Sequence, residues 1–379
     1  MTETEPAARP ILPENQPAAS KFHGLQQLRA AAAILVMVGH VIVRAVRDVP
    51  HDPRLDILVT QLGQLGVRCF FVISGFIMLH VSWNRFGKHG QAARFVRDRA
   101  IRVIPLYWLL TLAYVAFTKE PTPLANVVKS LLFLPHPNAL DALPYPVFAL
   151  GWTLEYEILF YAIFAGGMLL SRRSASIAFV VTVLLALTLA GAGAGATLHE
   201  LGTAATFWTA AILLFFLAGM AICMAHRHGV HAPWRWSGLA ALAVLVADVP
   251  VAVLLADHAP AWSAASIALA AIVAVALVTL CPSPSGGVIG RGGEFLGDAS
   301  YSLYLSHPFC IIVAAQVWMK LVPALSPGVF IALTVLGSLI GGIACYVLVE
   351  RRLIRLFQRR RKDARIVRDD RASAFVTRG

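Results

Sequence analysis

The first apolar segment of the chain carries an arginine and a histidine whose spacing could support chemistry. Arg29 and His40 lie eleven residues apart in FHGLQQLRAAAAILVMVGH. Eleven residues make about three helical turns, so both side chains share one face and are separated by roughly 16 Å along the axis. A guanidinium suits a phosphate-bearing donor, and an imidazole in a water-poor cavity suits general base catalysis. Alternatively, Arg29 anchors the helix at the membrane surface and His40 makes an interhelical hydrogen bond.

Three further ionisable residues lie inside apolar segments, where a charge normally needs a partner. Glu155 and Glu157 belong to GWTLEYEILFY, and Arg68 belongs to QLGQLGVRCFFVISGF. The two glutamates point about 200° apart on a helix, so only one can easily face a given cavity. We predict that Glu157 contacts His40 and holds its imidazole as a base. Arg68 is predicted to be buried, with the two glutamates as candidate acids.

A pair of arginines begins another apolar segment. Arg99 and Arg102 are spaced as RxxR, on one side of a helix, in RDRAIRVIPLYW. Arginines three residues apart can clamp phosphate groups. They could equally be ordinary basic residues on the cytoplasmic side of a membrane.

Two other patterns concern helix faces. Tyr301, Tyr304 and His307 recur every three residues in GDASYSLYLSHPF and form a polar stripe. Such a stripe indicates either a pathway or a seam between helices. The pair Ser74 and Gly75 predicts the close approach of a neighbouring backbone.

The elements that must position these residues are transmembrane helices. The 379 residues are 58% hydrophobic and only 14% charged, with a mean hydropathy of +0.71, which excludes an ordinary soluble protein. An all-α, polytopic membrane protein of about ten transmembrane helices is therefore predicted. The apolar stretches lie near 25–46, 62–82, 101–118, 150–170, 176–196, 204–224, 236–255, 262–280, 299–319 and 328–349.

The distribution of basic residues predicts that both termini are cytoplasmic. Most of the 32 lysines and arginines fall in segments on that side. We expect a disordered cytoplasmic N-terminus at 1–21, a membrane domain at 22–350 and a basic cytoplasmic tail at 351–379. The tail should contact anionic membrane lipids, and neither a nucleic-acid partner nor a metal site is expected.

Three segments are not expected to cross the membrane. Residues 84–100 should form an interfacial helix that continues into the third span. The outer loop 119–149 contains an apolar patch that is too short to span and could be re-entrant or a lid. The glycine-rich GGVIGRGGEFLG is predicted to be a flexible connector, because it lacks the Gly-Lys-Ser/Thr ending of a P-loop.

Taken together, the motifs resemble the acyltransferase-3 family of membrane O-acyltransferases. The resemblance covers residues 22 to about 355 and is carried by LRAAAAILVMVGH, GVRCFFVISGF, RDRAIRVIPLYW, GWTLEYEILFYAIF, FLGDASYSLYLSHPF and YVLVERRL. SLLFLPHP followed by GWTLEYEILFY is similar to the bacterial branch that acetylates exopolysaccharides. A bacterial inner-membrane enzyme is thus implied, with cytoplasmic acetyl-CoA as co-substrate, a saccharide acceptor that could be lipid-linked, and no permanently bound cofactor.

The resemblance also implies roles for individual residues. His40 and Glu157 would be catalytic, and Arg29, Arg99 and Arg102 would bind the donor. Beyond what the resemblance implies, we predict supporting positions at Arg68, Ser74, Trp152, Tyr301, Tyr304 and His307. One departure from the family pattern is visible, because Glu350 and Arg351 are followed by Arg352 where the family usually has proline.

A second class of function would share the buried charges. A saccharide transporter or flippase places ionisable residues in its bundle but needs no acyl donor. Such proteins commonly contain repeated halves, and no convincing internal repeat is visible in this sequence.

Overall fold

The computed structural model describes residues 22–47, 49–118, 122–137, 144–194, 197, 200, 202–231, 234–281, 287–321 and 326–358. The predicted N-terminal segment 1–21 and the tail beyond 358 lie outside the described residues. The described elements are helices: α1 (His23–Val46), α2 (Pro53–Ser82), α3 (Gln91–Thr118), α4 (Leu124–Leu131), α5 (Trp152–Met168), α6 (Arg173–Gly193), α7 (Thr203–Trp208), α8 (Leu213–Arg227), α9 (Ser237–Ala256), α10 (Pro260–Leu280), α11 (Gly287–Asp298), α12 (Ser300–Leu321) and α13 (Pro327–Cys345).

The prediction of a polytopic helical membrane protein is confirmed. Within the described ranges, nine helical segments are long and apolar enough to span a membrane: α1, α2, α3, α6, the combined α7 and α8, α9, α10, α12, and α13 with its extension to Gln358. Helix α5 has 17 residues, about 26 Å, and a three-residue 3₁₀ turn at Ala149–Gly151 precedes it.

The ends of α5 show that it also runs through the bundle. Its C-terminal Met168 accepts a hydrogen bond from the backbone N–H of Gly87, in the loop after α2, at 3.3 Å. Gly87 has a positive φ of 69°, and a side chain there would overlap the backbone of Ser171. The loops after α2 and α5 therefore meet at one end, although α5, the helix of the tenth predicted crossing, is not among the nine segments long enough to span.

Helices α1 and α2 form the centre of the bundle, and α2 also packs closely on α8. Cβ atoms added to Gly75 of α2 or Gly219 of α8 would overlap backbone atoms of the facing helix. Phe216 of α8 also stacks on Phe160 of α5, with ring centroids 4.2 Å apart. The predicted close approach at Gly75 is therefore confirmed.

Replacing Gly75 with alanine should destabilise the folded protein. The added methyl group has no space against the backbone of Phe216, and forced overpacking typically costs about 1–3 kcal/mol. Thermal unfolding in detergent measures the effect. Gly337→Ala is the matched control, because nothing lies within 4 Å of its added Cβ. Equal melting temperatures for the two variants would contradict the proposed steric role of Gly75.

The prediction of a flexible connector at GGVIGRGGEFLG is wrong, because this segment forms most of α11. Its glycines serve close packing on α1. A side chain at Gly297 would overlap the backbone of Gln26, and one at Gly293 would press on the side chain of Gln27. A carboxylate oxygen of Glu294 also lies 2.7 Å from Nδ1 of His23. The glycines on which the prediction of a flexible connector rested instead let α11 pack closely on the first turn of α1.

The two other non-spanning predictions are partly confirmed. Helix α3 begins at Gln91 and continues to Thr118 without a break, so the basic residues before the third span share its helix. The apolar patch of the outer loop forms the short helix α4, held by the indole N–H of Trp108 donating to the carbonyl of Leu131 at 2.8 Å. An eight-residue helix is about 12 Å long and cannot span a bilayer.

Candidate active site

Two cavities meet in the middle of the bundle. We call the one at the predicted cytoplasmic half the inner cavity and the other the outer cavity, and their volumes are about 130 and 950 Å³. Arg29 lines the inner cavity and His40 lines the outer one. Val67 and Tyr304 line both cavities and so form the partition between them. The two residues predicted to share one face of α1 therefore line two adjoining cavities.

The inner cavity collects the three predicted donor-binding arginines. Arg29 comes from α1, and Arg99 and Arg102 come from α3, where their three-residue spacing turns both toward the same space. The guanidinium of Arg29 donates to the side chain of Gln26 at 3.2 Å. The Nε of Arg99 is buried and has no hydrogen-bond partner among the described residues. Three neighbouring cations repel one another, so this arrangement favours an anionic ligand such as a phosphate.

The predicted contact between Glu157 and His40 is wrong. Glu157 lines the inner cavity, where its carboxylate accepts hydrogen bonds from the hydroxyls of Tyr161 and, at 3.4 Å, Ser74. The sequence argument placed Glu157 in the outer half, as though α5 began at the membrane surface. Leu150, just before α5, already lines the outer cavity, so the helix begins inside the bundle and carries Glu157 deeper.

A second acid lies close to the arginines. Glu350 is 3% exposed and sits in a π-helical turn, Tyr346–Glu350, after α13. The hydroxyl of Ser302 donates to its carboxylate at 2.5 Å, and its charge interacts with those of Arg29 and Arg102. Sequence analysis gave Glu350 no role, although an acid at the end of the last apolar segment was the available signal. Together, Glu157 and Glu350 offset part of the positive charge of the arginines.

His40 is paired with the second predicted histidine, His307 of α12. The Nδ1 of His40 lies 2.9 Å from the carbonyl of Val36 and 3.2 Å from Nε2 of His307. The Nδ1 of His307 lies 3.1 Å from the carbonyl of Leu303. Because a carbonyl only accepts hydrogen bonds, we assign a proton to both Nδ1 atoms. Nε2 of neutral His307 then accepts from His40, and Nε2 of His40 keeps its lone pair for the outer cavity.

The polar stripe of α12 runs along both cavities. Tyr301 lines the inner cavity, and its hydroxyl donates to the carbonyl of Val103 at 2.7 Å. The hydroxyl of Tyr304, at the partition, lies 3.1 Å from that of Thr153 and 3.3 Å from the carbonyl of Leu150. The two tyrosines thus bind neighbouring segments, as a seam would, and also line the cavities, whereas His307 lines neither of them.

The predicted pairing of Arg68 with a glutamate of α5 is also wrong. Arg68 is partly exposed in the outer cavity and donates to the carbonyl of Ala264 at 3.1 Å and to the side chain of Gln64 at 2.7 Å. Glu155 is buried, and neither of its oxygens has a hydrogen-bond partner in the described part of the chain. Main-chain and amide oxygens thus took the place of the expected acid.

The wall of the outer cavity opposite these polar groups is aromatic. Trp152 lies between Tyr145 and Tyr156, with ring centroids 6.3 and 6.0 Å from its own. Aromatic side chains with polar tips suit a ligand that has both apolar faces and hydroxyl groups. Trp152 is therefore brought to the site, as predicted.

Comparison with known proteins shows which family the chain belongs to. The profile of the acyltransferase-3 family, described as an acyltransferase domain, matches residues 22–347. The chain belongs to the acyltransferase-3 family. Exopolysaccharide production protein ExoZ of Rhizobium meliloti (strain 1021) is 33% identical over 309 residues, which are 80% of this chain and 93% of that protein.

A second relative also matches most of this acyltransferase-3 member. Acyltransferase MdmB of Streptomyces mycarofaciens is 26% identical over 326 residues, covering 77% of this chain and 79% of the relative. No solved structure matches the chain significantly. As a member of the acyltransferase-3 family with this bundle of apolar helices, the protein is a multi-pass membrane O-acyltransferase.

Proposed function

We propose that this acyltransferase moves an acetyl group from acetyl-CoA to a hydroxyl group of a cell-envelope saccharide. The observation that carries the proposal is the meeting of the two cavities at Val67 and Tyr304, with arginines on one side and His40 on the other. The similarity to a protein named for exopolysaccharide production supports a saccharide acceptor. A bacterial inner membrane, where cytoplasmic acetyl-CoA and envelope saccharides meet, is the proposed location.

Coenzyme A would bind from the predicted cytoplasmic side with its phosphates at Arg29, Arg99 and Arg102. Its pantetheine arm would extend through the inner cavity toward the partition. The rise from Arg29 to His40 is roughly 16 Å, which is comparable to the length of such an arm. The apolar lining of the inner cavity, including Val67, Phe70 and Leu154, would exclude water from the thioester.

The acceptor would lie in the outer cavity with one hydroxyl at Nε2 of His40. This nitrogen would take the hydroxyl proton while the oxygen attacks the thioester carbon. The bond between carbon and sulfur then breaks, the new ester forms, and the proton passes from His40 to the departing thiolate. His307 would hold His40 in the required tautomer during the first step and accept a hydrogen bond from the imidazolium that follows.

Mass spectrometry of envelope saccharides from cells with and without the protein tests this function. The proposal expects an acetyl ester that is present only when the protein is made. Purified protein in lipid vesicles should also release free coenzyme A in the presence of acceptor. A saccharide that is exported normally but is equally acetylated in both strains would overturn the proposal, and loss of export alone would favour a transporter.

The donor site gives a separate prediction. Arg29→Gln and Arg99→Gln should each raise the KM for acetyl-CoA by roughly tenfold or more, because a charge-assisted hydrogen bond is worth about 1.5–3 kcal/mol. Initial rates at varied acetyl-CoA concentrations measure the change. Arg97→Gln is the matched control, since Arg97 is exposed on the same helix as Arg99 and does not line the inner cavity. An unchanged KM in both cavity variants would count against donor binding by these arginines.

A further inference from the structure

The outer cavity carries one positive charge. Among the described residues that line it, Arg68 is the only one with a permanently charged side chain. The Nδ1–H of His40, the other ionisable group that lines it, is engaged by Val36 and His307, and the proposed general-base role requires Nε2 to be unprotonated and His40 to be neutral. The remaining lining groups are apolar, aromatic, amide or hydroxyl groups. The field in this cavity therefore favours an anion over a neutral molecule of the same shape.

Arg68 retains hydrogen-bonding capacity that its neighbours do not use. A guanidinium has five N–H groups, and within the described chain two are engaged, by Ala264 and Gln64. Its central carbon lies 5.5 Å from the ring centroid of Phe215, within the range of a cation–π contact. The charge of Asp248 on α9 interacts with that of Arg68, but no carboxylate of the described residues lies within the 4.0 Å of an ion pair.

These observations differ from those expected of a structural arginine in a membrane. A buried guanidinium that serves packing alone is normally neutralised by a close acid, because an unpaired charge in a low-dielectric interior is costly. Arg68 is instead held in place by two neutral oxygens and an aromatic ring while facing a cavity of about 950 Å³. That volume is at the upper end of the range of about 300–1,000 Å³ for small-molecule sites.

We propose that Arg68 binds an anionic group of the acceptor, so that this enzyme selects an anionic acceptor over a neutral one. The inference rests on the proposed function, since it assigns the acceptor to the outer cavity. The anion is a carboxylate of an acidic sugar or a phosphate that links the saccharide to its lipid carrier. Either group can accept parallel hydrogen bonds from a guanidinium, which would also fix the orientation of the acceptor relative to His40.

Competition in membranes that contain the protein and its natural acceptor tests the proposal. Incorporation of labelled acetate from acetyl-CoA is measured in the presence of one of three competitors. They are a glucuronate-containing oligosaccharide, a neutral oligosaccharide of equal length, and inorganic pyrophosphate. At least one of the two anions should inhibit the unmodified protein at a concentration about 10- to 100-fold lower than the neutral competitor. Arg68→Gln should abolish that preference, and Arg68→Lys should restore part of it.

Arg54→Gln is the matched control, because Arg54 is exposed near the start of the same helix and does not line the outer cavity. Anions acting at the inner arginines would inhibit the unmodified and Arg68→Gln proteins equally. Such equal inhibition, or equal inhibition by the neutral oligosaccharide, would overturn the inference. Preference for glucuronate over pyrophosphate identifies a sugar carboxylate, and the reverse identifies a carrier phosphate.

Calorimetric titration of the purified protein with the same three probes separates this inference from the proposed function. Titration needs no acetyl donor, so anion binding that depends on Arg68 can be detected even if acetyl transfer fails. Acetyl transfer with no anion preference in either measurement would overturn the role of Arg68 while leaving the proposed function intact.

Discussion

Replacing His40 with alanine should lower the rate of acyl transfer by about 10²- to 10⁴-fold, the usual contribution of a positioned general base. The imidazole faces the outer cavity with Nε2, while its Nδ1 is occupied by Val36 and His307. Alanine removes the lone pair that would take the proton from the acceptor hydroxyl. Release of coenzyme A by purified protein at saturating donor and acceptor measures the loss.

The alternative is that His40 only links α1 to α12. One interhelical hydrogen bond in a membrane contributes about 0.6 kcal/mol on average, so its loss should leave a folded protein with nearly full activity. His258→Ala, an exposed histidine between α9 and α10, is the control for the loss of an imidazole. A His40→Ala protein that melts normally and still transfers acetyl groups at near the original rate would exclude catalysis by His40.

The positions of the spanning helices could be predicted from the sequence because apolar length alone determines them. The stretch predicted near 236–255 corresponds to Ser237–Ala256, and that near 25–46 corresponds to His23–Val46. Hydropathy reflects the free energy of transferring each segment from water into lipid. This free energy depends little on which other helices the segment packs against. The prediction of the second span was less complete. Helix α2 begins at Pro53, and its first residues are too polar to belong to the apolar stretch from which the span was predicted.

The convergence of the three arginines was also predictable. Arg29, Arg99 and Arg102 each lie in the first half of a helix, near its predicted cytoplasmic start, so membrane depth should bring them to one level. Their presence in the same cavity depends additionally on the packing of α1 and α3 around α5, which no local pattern specifies.

The partner of His40 could not be chosen from the sequence. Both Glu157 and His307 were recognised as polar residues within spans, and an acid is the more familiar partner for a catalytic histidine. The choice depended on where each helix begins relative to the membrane surface. Leu150 and the 3₁₀ turn enter the bundle before α5 begins, which moves Glu157 to the inner cavity. Sequence periodicity gives a residue's face on its helix but not this depth.

Glycine-rich α11 shows a related limit. Composition indicated a flexible connector, because glycine lowers helix stability by roughly 1 kcal/mol relative to alanine. The contacts of Gly293 and Gly297 with the first turn of α1 offset that cost by allowing close packing. The same contacts hold the turn that precedes Arg29, so a segment with weak local helix preference positions part of the proposed donor site.

Replacing His307 with alanine should lower kcat by about 10- to 100-fold while leaving the KM for acetyl-CoA nearly unchanged. His307 does not line either cavity, and it acts through the hydrogen bond between its Nε2 and Nδ1 of His40. Partners that orient a functional imidazole commonly contribute effects of this size. Without this acceptor, Nδ1 of His40 retains only the carbonyl of Val36, and the imidazolium formed during transfer loses stabilisation. Initial rates with purified protein give kcat and KM separately.

A glutamine at position 307 provides the sharper test, because its side-chain oxygen can accept the hydrogen bond from His40 but cannot carry a positive charge. His307→Gln should therefore recover part of the kcat that His307→Ala loses. Ser306→Ala, on the same helix, is the control for disturbing this buried region, since the Ser306 hydroxyl has no hydrogen-bond partner within the described chain. If alanine and glutamine reduce kcat equally, or if both raise the KM for the donor, His307 does not position His40. A graded loss in the order histidine, glutamine, alanine, with an unchanged donor KM, is the result that the two-histidine geometry predicts.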